Sequence, residues 1–276
     1  MTTRDPSRVG LIELRYDRDW RYADNHFISI RAAAGRDFGP VPVQLATKGF
    51  QVTPAMAAGH AARFAERIEP GREVAKLIDP TFEFVAAALA PALDGPVGAL
   101  ARGFFRSDFV VTSLGSRRKV GGLAALTSTE KGSSHWHCDA GPTEHLKVIL
   151  YLNARSEHNG GTAFIEKPAT DVLKRAGYVF QPREERHFDM GEVIHSLGLP
   201  PSEHVAQPEC GEAVVFRPSQ VMHKAVIPTE GERITVTLLL LPSSAPWRDF
   251  LQANLAVILA NDSAAFAALQ PAVDIK

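Results

Sequence analysis

The 276-residue chain carries 30 basic and 31 acidic side chains, a formal net charge of −1, with 45% apolar and 22% charged residues. This is the composition of an ordinary globular protein with a sizeable core. It excludes a strongly basic nucleic-acid binder, and no apolar run reaches the length of a membrane span. The polar opening Met1–Arg8 lacks the apolar stretch of a signal peptide. Two cysteines, Cys138 and Cys210, set no disulfide framework and point to a reducing cytoplasm. The expected partner is a small-molecule substrate, with no nucleic acid and no membrane, and a homodimer is left open.

After an irregular start, the first hundred residues read as mostly helical. Thr53-Pro54 has the form of an N-cap followed by proline at the first helical position, and Ala57, Ala61, Phe64 and Ile68 follow at helical spacing. Asp79-Pro80 repeats the signal ahead of Phe84, Val85 and Leu89, and a shorter helix is expected from Val97 to Phe104. From about Phe109, β-branched and apolar runs alternate with turn residues. Strands are expected at 109–114, 134–139, 145–153, 161–166, 211–217, 221–227 and 232–241. Asn159-Gly160-Gly161 reads as a hairpin turn. The segment 167–210, rich in Pro, Glu, Arg and His, reads as an insertion over one face, of the kind that gates a site. Leu251, Leu255, Ile258 and Leu259 form one stripe of a closing helix.

The expected fold is mainly β with flanking helices, built on a double-stranded β-helix (jelly-roll) core. It is one domain overall: a mostly helical part over 1–105, a jelly-roll core over 106–242 with the 167–210 insertion, and C-terminal helices over 243–276.

The most informative segment is Ser134-His135-Trp136-His137-Cys138-Asp139. On a strand, residues two apart share a face, so His135, His137 and Asp139 point one way and Trp136 and Cys138 the other. An imidazole and a carboxylate so placed can occupy two corners of one metal's coordination sphere. His223, after a strand and a turn carrying Pro218, is the candidate third ligand. Two histidines and one carboxylate leave open positions on the metal, as non-haem Fe(II) oxygenases require. Arg233 and Thr235 share a face of the last strand, where a guanidinium and a hydroxyl could grip a carboxylate.

The set His137-x-Asp139, His223 and Arg233-x-Thr235 resembles the motif of the 2-oxoglutarate/Fe(II)-dependent dioxygenase superfamily. Leu146–Leu152 followed by Asn159-Gly160-Gly161 further resembles its phytanoyl-CoA-hydroxylase-like branch, although that branch often carries Pro-Gly-Ser-His where this chain has Lys167-Pro168-Ala169-Thr170. The resemblance covers roughly 130–241. It implies Fe(II) held by His137, Asp139 and His223, with O₂ as oxidant. It also implies 2-oxoglutarate as cosubstrate, its far carboxylate on Arg233 and Thr235, with succinate and CO₂ released as a substrate C–H bond is hydroxylated. Related halogenases replace the ligand carboxylate with a small residue, so Asp139 speaks against halogenation.

Lys147 and Tyr151 share the polar face of their strand, and Lys147 is a further candidate for a carboxylate contact; the alternative is a surface lysine whose stem lies on apolar neighbours. His135 is expected to bond a carbonyl, Cys138 to be a buried inert thiol, and most of His145, His158, His187, His195 and His204, which fall in polar or loop contexts, to be solvated. The run Arg117-Arg118-Lys119 reads as a solvated turn, with contact to an acidic substrate as the alternative. The rival function is a metal-dependent cupin-type enzyme that uses no keto acid. It would draw on His135, His137 and Glu144 for its first motif and on Gly211 to His223 for its second. A binding module on an inactive jelly roll is the remaining class.

Overall fold

The computed structural model describes residues 37–70, 74–121, 132–156, 158 and 160–260. The irregular start before residue 37, Asn159 of the expected turn, and the chain beyond 260 lie outside the described residues.

Two antiparallel sheets make the core. The larger combines β1 (Phe50–Pro54), β2 (Val74–Ala75), β3 (Asp108–Val120), β4 (Leu146–Tyr151), β7 (Glu212–Phe216) and β9 (Glu232–Ser243) in the order β1-β7-β4-β9-β3-β2. The smaller combines β5 (Gly161–Ile165), β6 (Glu203–Ala206) and β8 (Met222–Val226) in the order β6-β5-β8. From β6 onward the chain alternates between sheets with each strand, which is the winding of a jelly roll. His137 forms an isolated antiparallel bridge with His223, so the segment 134–139 flanks β8 where a fourth strand of the small sheet would lie. It is not the full strand expected. A short helical turn ends at Ser134, and only the bridge at His137 follows.

Helices cover the outer face of the large sheet: α1 (Val43–Lys48), α2 (Ala58–Ala65), α3 (Phe82–Leu93), α4 (Pro96–Phe105) and α7 (Trp247–Ala260). Phe64, Leu89, Leu93, Phe105, Leu251 and Ile258 are 2% exposed or less and pack on Leu146, Val148 and Leu150 of β4 and on Val236, Leu238 and Leu240 of β9. Burying one such side chain stabilises by about 1.5–3 kcal/mol. Leu255 and Leu259, the rest of the expected stripe on α7, pack partly buried on the same core. Among the described residues no single helix is long and apolar enough to cross a membrane.

Three sequence expectations are corrected here. Thr53-Pro54 starts no helix; both lie in β1, paired with Ala213 and Glu212, and α2 begins at Ala58. Proline is tolerated because β1 is an edge strand. At the next helix, Asp79 takes a positive φ of 45° and the cap is Thr81, whose hydroxyl accepts from the Phe84 N–H. β4 and β5 form no hairpin with each other: β4 lies in the large sheet and β5 in the small one. Gly160 is still required there, since its φ is 76° and a Cβ would meet the Val226 carbonyl oxygen at 2.3 Å.

The insertion is structured. It holds α5 (Lys167–Arg175), a 3₁₀ turn (Arg183–Glu185), α6 (Gly191–Ser196) and β6. Leu173, Val179, Met190 and Ile194 pack with Ala163 and Ile165 of β5, and with Trp136 and Cys138. This layer therefore backs the outer face of the small sheet and the segment that carries His137 and Asp139.

Candidate metal centre

The inner faces of the two sheets enclose a cavity of about 250 Å³ lined by residues of both, among them His137, Lys147, His223, Arg233 and Thr235. Alternation places them there. On β4, Lys147, Ile149 and Tyr151 line the cavity while Leu146, Val148 and Leu150 sit in the outer core. On β9, Arg233, Thr235 and Thr237 face in and Ile234, Val236 and Leu238 face out.

His137, Asp139 and His223 converge, with one donor atom from each lying within 4.8 Å of the others. His137 Nε2 is 3.4 Å from Asp139 Oδ1, and His223 Nε2 is 3.7 Å from Asp139 Oδ2. Trp136 and Cys138, which flank His137 in sequence, point away into the buried layer under the insertion. Both imidazoles are oriented from behind. His137 Nδ1 bonds the His135 carbonyl at 2.7 Å and His223 Nδ1 bonds the Val221 carbonyl at 3.1 Å. With Nδ1–H as donor, each ring turns its Nε2 lone pair toward Asp139, the tautomer a metal ligand needs. His223 Nε2 is buried with no hydrogen-bond partner. A buried acceptor without a partner costs about 1–3 kcal/mol, and a metal ion would remove that cost. The donor set and its orientation thus fit a divalent ion of the first transition row.

The electrostatics agree with the geometry. Burial pushes the His223 imidazole well below its ordinary pKa, and the neighbouring His137 adds to this, so the ring is neutral. Burial alone would raise the Asp139 carboxyl, but the Lys147 ammonium beside it opposes this, and the group lies well below the usual carboxylate range. Lys147 Nζ donates to Asp139 Oδ2. The Phe216 ring packs edge-on against His223 at 4.8 Å and meets the Phe164 ring edge-on at 5.1 Å, which walls in the His223 side chain.

Arg233 is 6% exposed. Its Nη1 donates to the carbonyls of Gly161 at 2.6 Å and Val226 at 2.7 Å, which fixes the guanidinium against the small sheet. Burial lowers its pKa, and nearby Tyr151 opposes that shift. Tyr151 Oη is 3.0 Å from Thr162 Oγ1, a hydroxyl pair that joins the sheets beside Arg233. Gly160 keeps this corner open, because a Cβ there would also approach Arg233 Nη1 at 3.0 Å.

His135 and Glu144, the extra ligands of the cupin reading, are not in the converging group. His135 packs edge-on against Phe188 instead. Of the five histidines in polar or loop contexts, His145 is not solvated: it is 5% exposed, and burial pulls its pKa down to about 4. Arg117-Arg118-Lys119 is no solvated turn but part of β3. Arg118 faces out and pairs with Glu232 at 2.7 and 2.9 Å, while Arg117 and Lys119 line the cavity. Their period-two placement could have been read once β3 was extended past residue 114.

No family model matches the chain, and no curated protein matches it. Solved structures do match it. ThoJ, a non-heme monooxygenase in its apo form, is 13% identical over 76% of this chain and 80% of its own, with a TM-score of 0.49. EctD from S. alaskensis with bound Fe is 14% identical over 78% and 83%, with a TM-score of 0.48. HygX from Streptomyces hygroscopicus, with nickel and 2-oxoglutarate bound, is 15% identical over 74% and 87%, with a TM-score of 0.44. At these identities and scores the likeness assigns no residue and no substrate.

Proposed function

We propose that this chain is a non-haem Fe(II)/2-oxoglutarate-dependent oxygenase that hydroxylates a C–H bond of a small molecule, forming succinate and CO₂. The supporting observation is the His137–Asp139–His223 group at a cavity that Arg233 and Thr235 also line. Bound there, Fe(II) supplies the activation of O₂ coupled to decarboxylation of the keto acid.

The chain's own residues do the rest. His137 and His223 offer Nε2 because backbone carbonyls hold Nδ1–H. Asp139 brings one negative charge, and Lys147 holds one of its oxygens. Arg233, anchored through Nη1, makes no hydrogen bond to a described residue through Nε or Nη2, and these groups are the donors for the far carboxylate. The Thr235 hydroxyl, opposite Tyr151 across the β4–β9 pair, adds a further donor. The apolar layers on both sides exclude water from the pair so formed, which strengthens it.

Binding of 2-oxoglutarate to the anaerobic Fe(II) protein, followed by absorption, tests the cofactor set. Succinate release across a panel of small molecules tests the reaction. Metal-dependent binding and substrate-dependent succinate are expected. An Fe(II) protein indifferent to 2-oxoglutarate would overturn the reading.

A further inference from the structure

The large sheet holds Lys147 and Arg233 far apart. Lys147 on β4 pairs with Leu239 of β9, six residues along that strand from Arg233. At about 3.3 Å per residue this is about 20 Å, more than the two extended side chains span together. They therefore cannot close on one carboxylate, and a gap remains between them for the carbon chain of a diacid. The small sheet keeps the same order. Arg233 is anchored at the Val226 carbonyl, three residues beyond His223 on β8, about 10 Å of strand.

Two contacts tie Lys147 to the metal end of the cavity. Its Nζ donates to Asp139 Oδ2. It also stands 5.7 Å from the centre of the Phe216 ring, which packs edge-on against His223. An ammonium carries three N–H donors. Asp139 takes one, and Lys147 makes no other hydrogen bond to a described residue. The side chain is 19% exposed and lines the cavity, so the remaining donors lie beside the metal ligands with little access to bulk water. A carboxylate brought to the metal would meet a charge-assisted donor there.

We propose that Lys147 is a second binding residue for the keto acid: it bridges Asp139 and the carboxylate next to the keto group, while Arg233 holds the far carboxylate. This rests on the oxygenase reading for the identity of the keto acid. Each charge of the dianion then has its own cation, one at each end of the cavity. A lysine suits the metal end because its compact ammonium can divide three donors between two carboxylates, whereas the arginine fork is shaped for both oxygens of one.

The test is calorimetric titration of the anaerobic protein, saturated with Fe(II), using 2-oxoglutarate, pyruvate and imidazole as separate probes. Pyruvate has the keto-acid end and no far carboxylate, and imidazole is a neutral metal ligand. Lys147→Met should weaken 2-oxoglutarate and pyruvate by similar factors, about tenfold or more. Imidazole affinity should stay within about threefold, a change under 1 kcal/mol. Lys147→Arg should recover part of the loss for both keto acids, and Arg233→Ala should weaken 2-oxoglutarate but not pyruvate. If Lys147→Met fails to fold, Lys147→Gln carries the same comparison. The proposal is overturned if the lysine variant binds either keto acid as the wild type does, since Lys147 would then serve Asp139 alone or the far carboxylate. It is equally overturned if imidazole weakens as much as the keto acids, because Lys147 would then act through Asp139 on the metal. A wild-type protein that takes 2-oxoglutarate and refuses pyruvate also overturns it. Failure of the oxygenase reading looks different: the wild-type Fe(II) protein would bind imidazole and neither keto acid.

Discussion

On β9, Ile234, Val236, Leu238 and Leu240 face the helices and are 4% exposed or less, while Arg233, Thr235 and Thr237 face the cavity. The same division runs along β4, with Leu146, Val148 and Leu150 outward and Lys147, Ile149 and Tyr151 inward. One strand thus supplies stability to one side and chemistry to the other, at alternate residues. The apolar face pins the register, because a one-residue slip would bury Arg233 and Lys147 among leucines. The polar face inherits that precision. The two faces should then be separable by mutation: outward changes cost stability, and inward changes cost binding.

The largest inward effect is expected at the metal. His223→Ala should abolish metal-dependent turnover and sharply weaken Fe(II) binding, while circular dichroism shows a folded protein. Full turnover in that variant would remove His223 from the ligand set. Next comes Arg233→Ala, which takes the cationic partner from the far carboxylate. Truncating one side of such a pair costs about 2–5 kcal/mol, roughly 30-fold to several-thousand-fold in 2-oxoglutarate affinity. Arg233→Lys keeps the charge and loses the fork, so its defect should be smaller. Fe(II) affinity should barely move in either. Unchanged 2-oxoglutarate affinity in Arg233→Ala would favour a site without a keto acid.

Outward, Leu238→Ala removes a fully buried side chain and should cost about 2–5 kcal/mol in urea unfolding. The folded fraction should bind metal and 2-oxoglutarate as before. A matching loss of 2-oxoglutarate affinity would show the faces to be coupled through the strand rather than independent.

The features legible in the sequence were those with a simple period. The alternation on β4 and β9, the His137-x-Asp139 spacing and the apolar stripe of α7 all follow from repeat distances of two or about four residues. What was missed depended on long-range pairing. β1 is held by β7, more than 150 residues later, and that pairing overrides the helix-start signal of Thr53-Pro54. The Gly160-Gly161 dipeptide looks like a tight turn, yet its reason is the close approach of the Val226 carbonyl and Arg233. Composition marked 167–210 as an insertion over one face but not its internal order, in which Leu173, Met190 and Ile194 form a layer behind the segment that carries His137 and Asp139.

His145 carries the smallest expected effect and a different observable, the pH dependence of stability. Its ring is buried, its Nδ1 bonds the Pro142 carbonyl, and a Cβ on Gly141 would meet the ring at 2.5 Å, so the pocket is close-fitting. Burial, with Lys147 and Arg217 adding to it, lowers the pKa from 6.5 to about 4 against the opposing pull of the Pro142 bond and Asp139. Between those two values the unfolded chain binds a proton that the native state refuses. Stability therefore falls as pH drops from 6.5 toward 4, and the shift is worth about 3 kcal/mol once both forms are protonated. His223, also lowered, acts in the same sense, while the loss from Asp139 comes only at more acid pH, below its ordinary 3.8. Urea unfolding between pH 7 and 4.5 isolates the His145 share by comparison with His145→Asn, which keeps a donor and cannot titrate. The variant should be less stable at pH 7, with a shallower pH slope, so that the two curves approach each other in acid. Parallel curves would mean that His145 accepts its proton in the folded state and that its pocket is not closed to water.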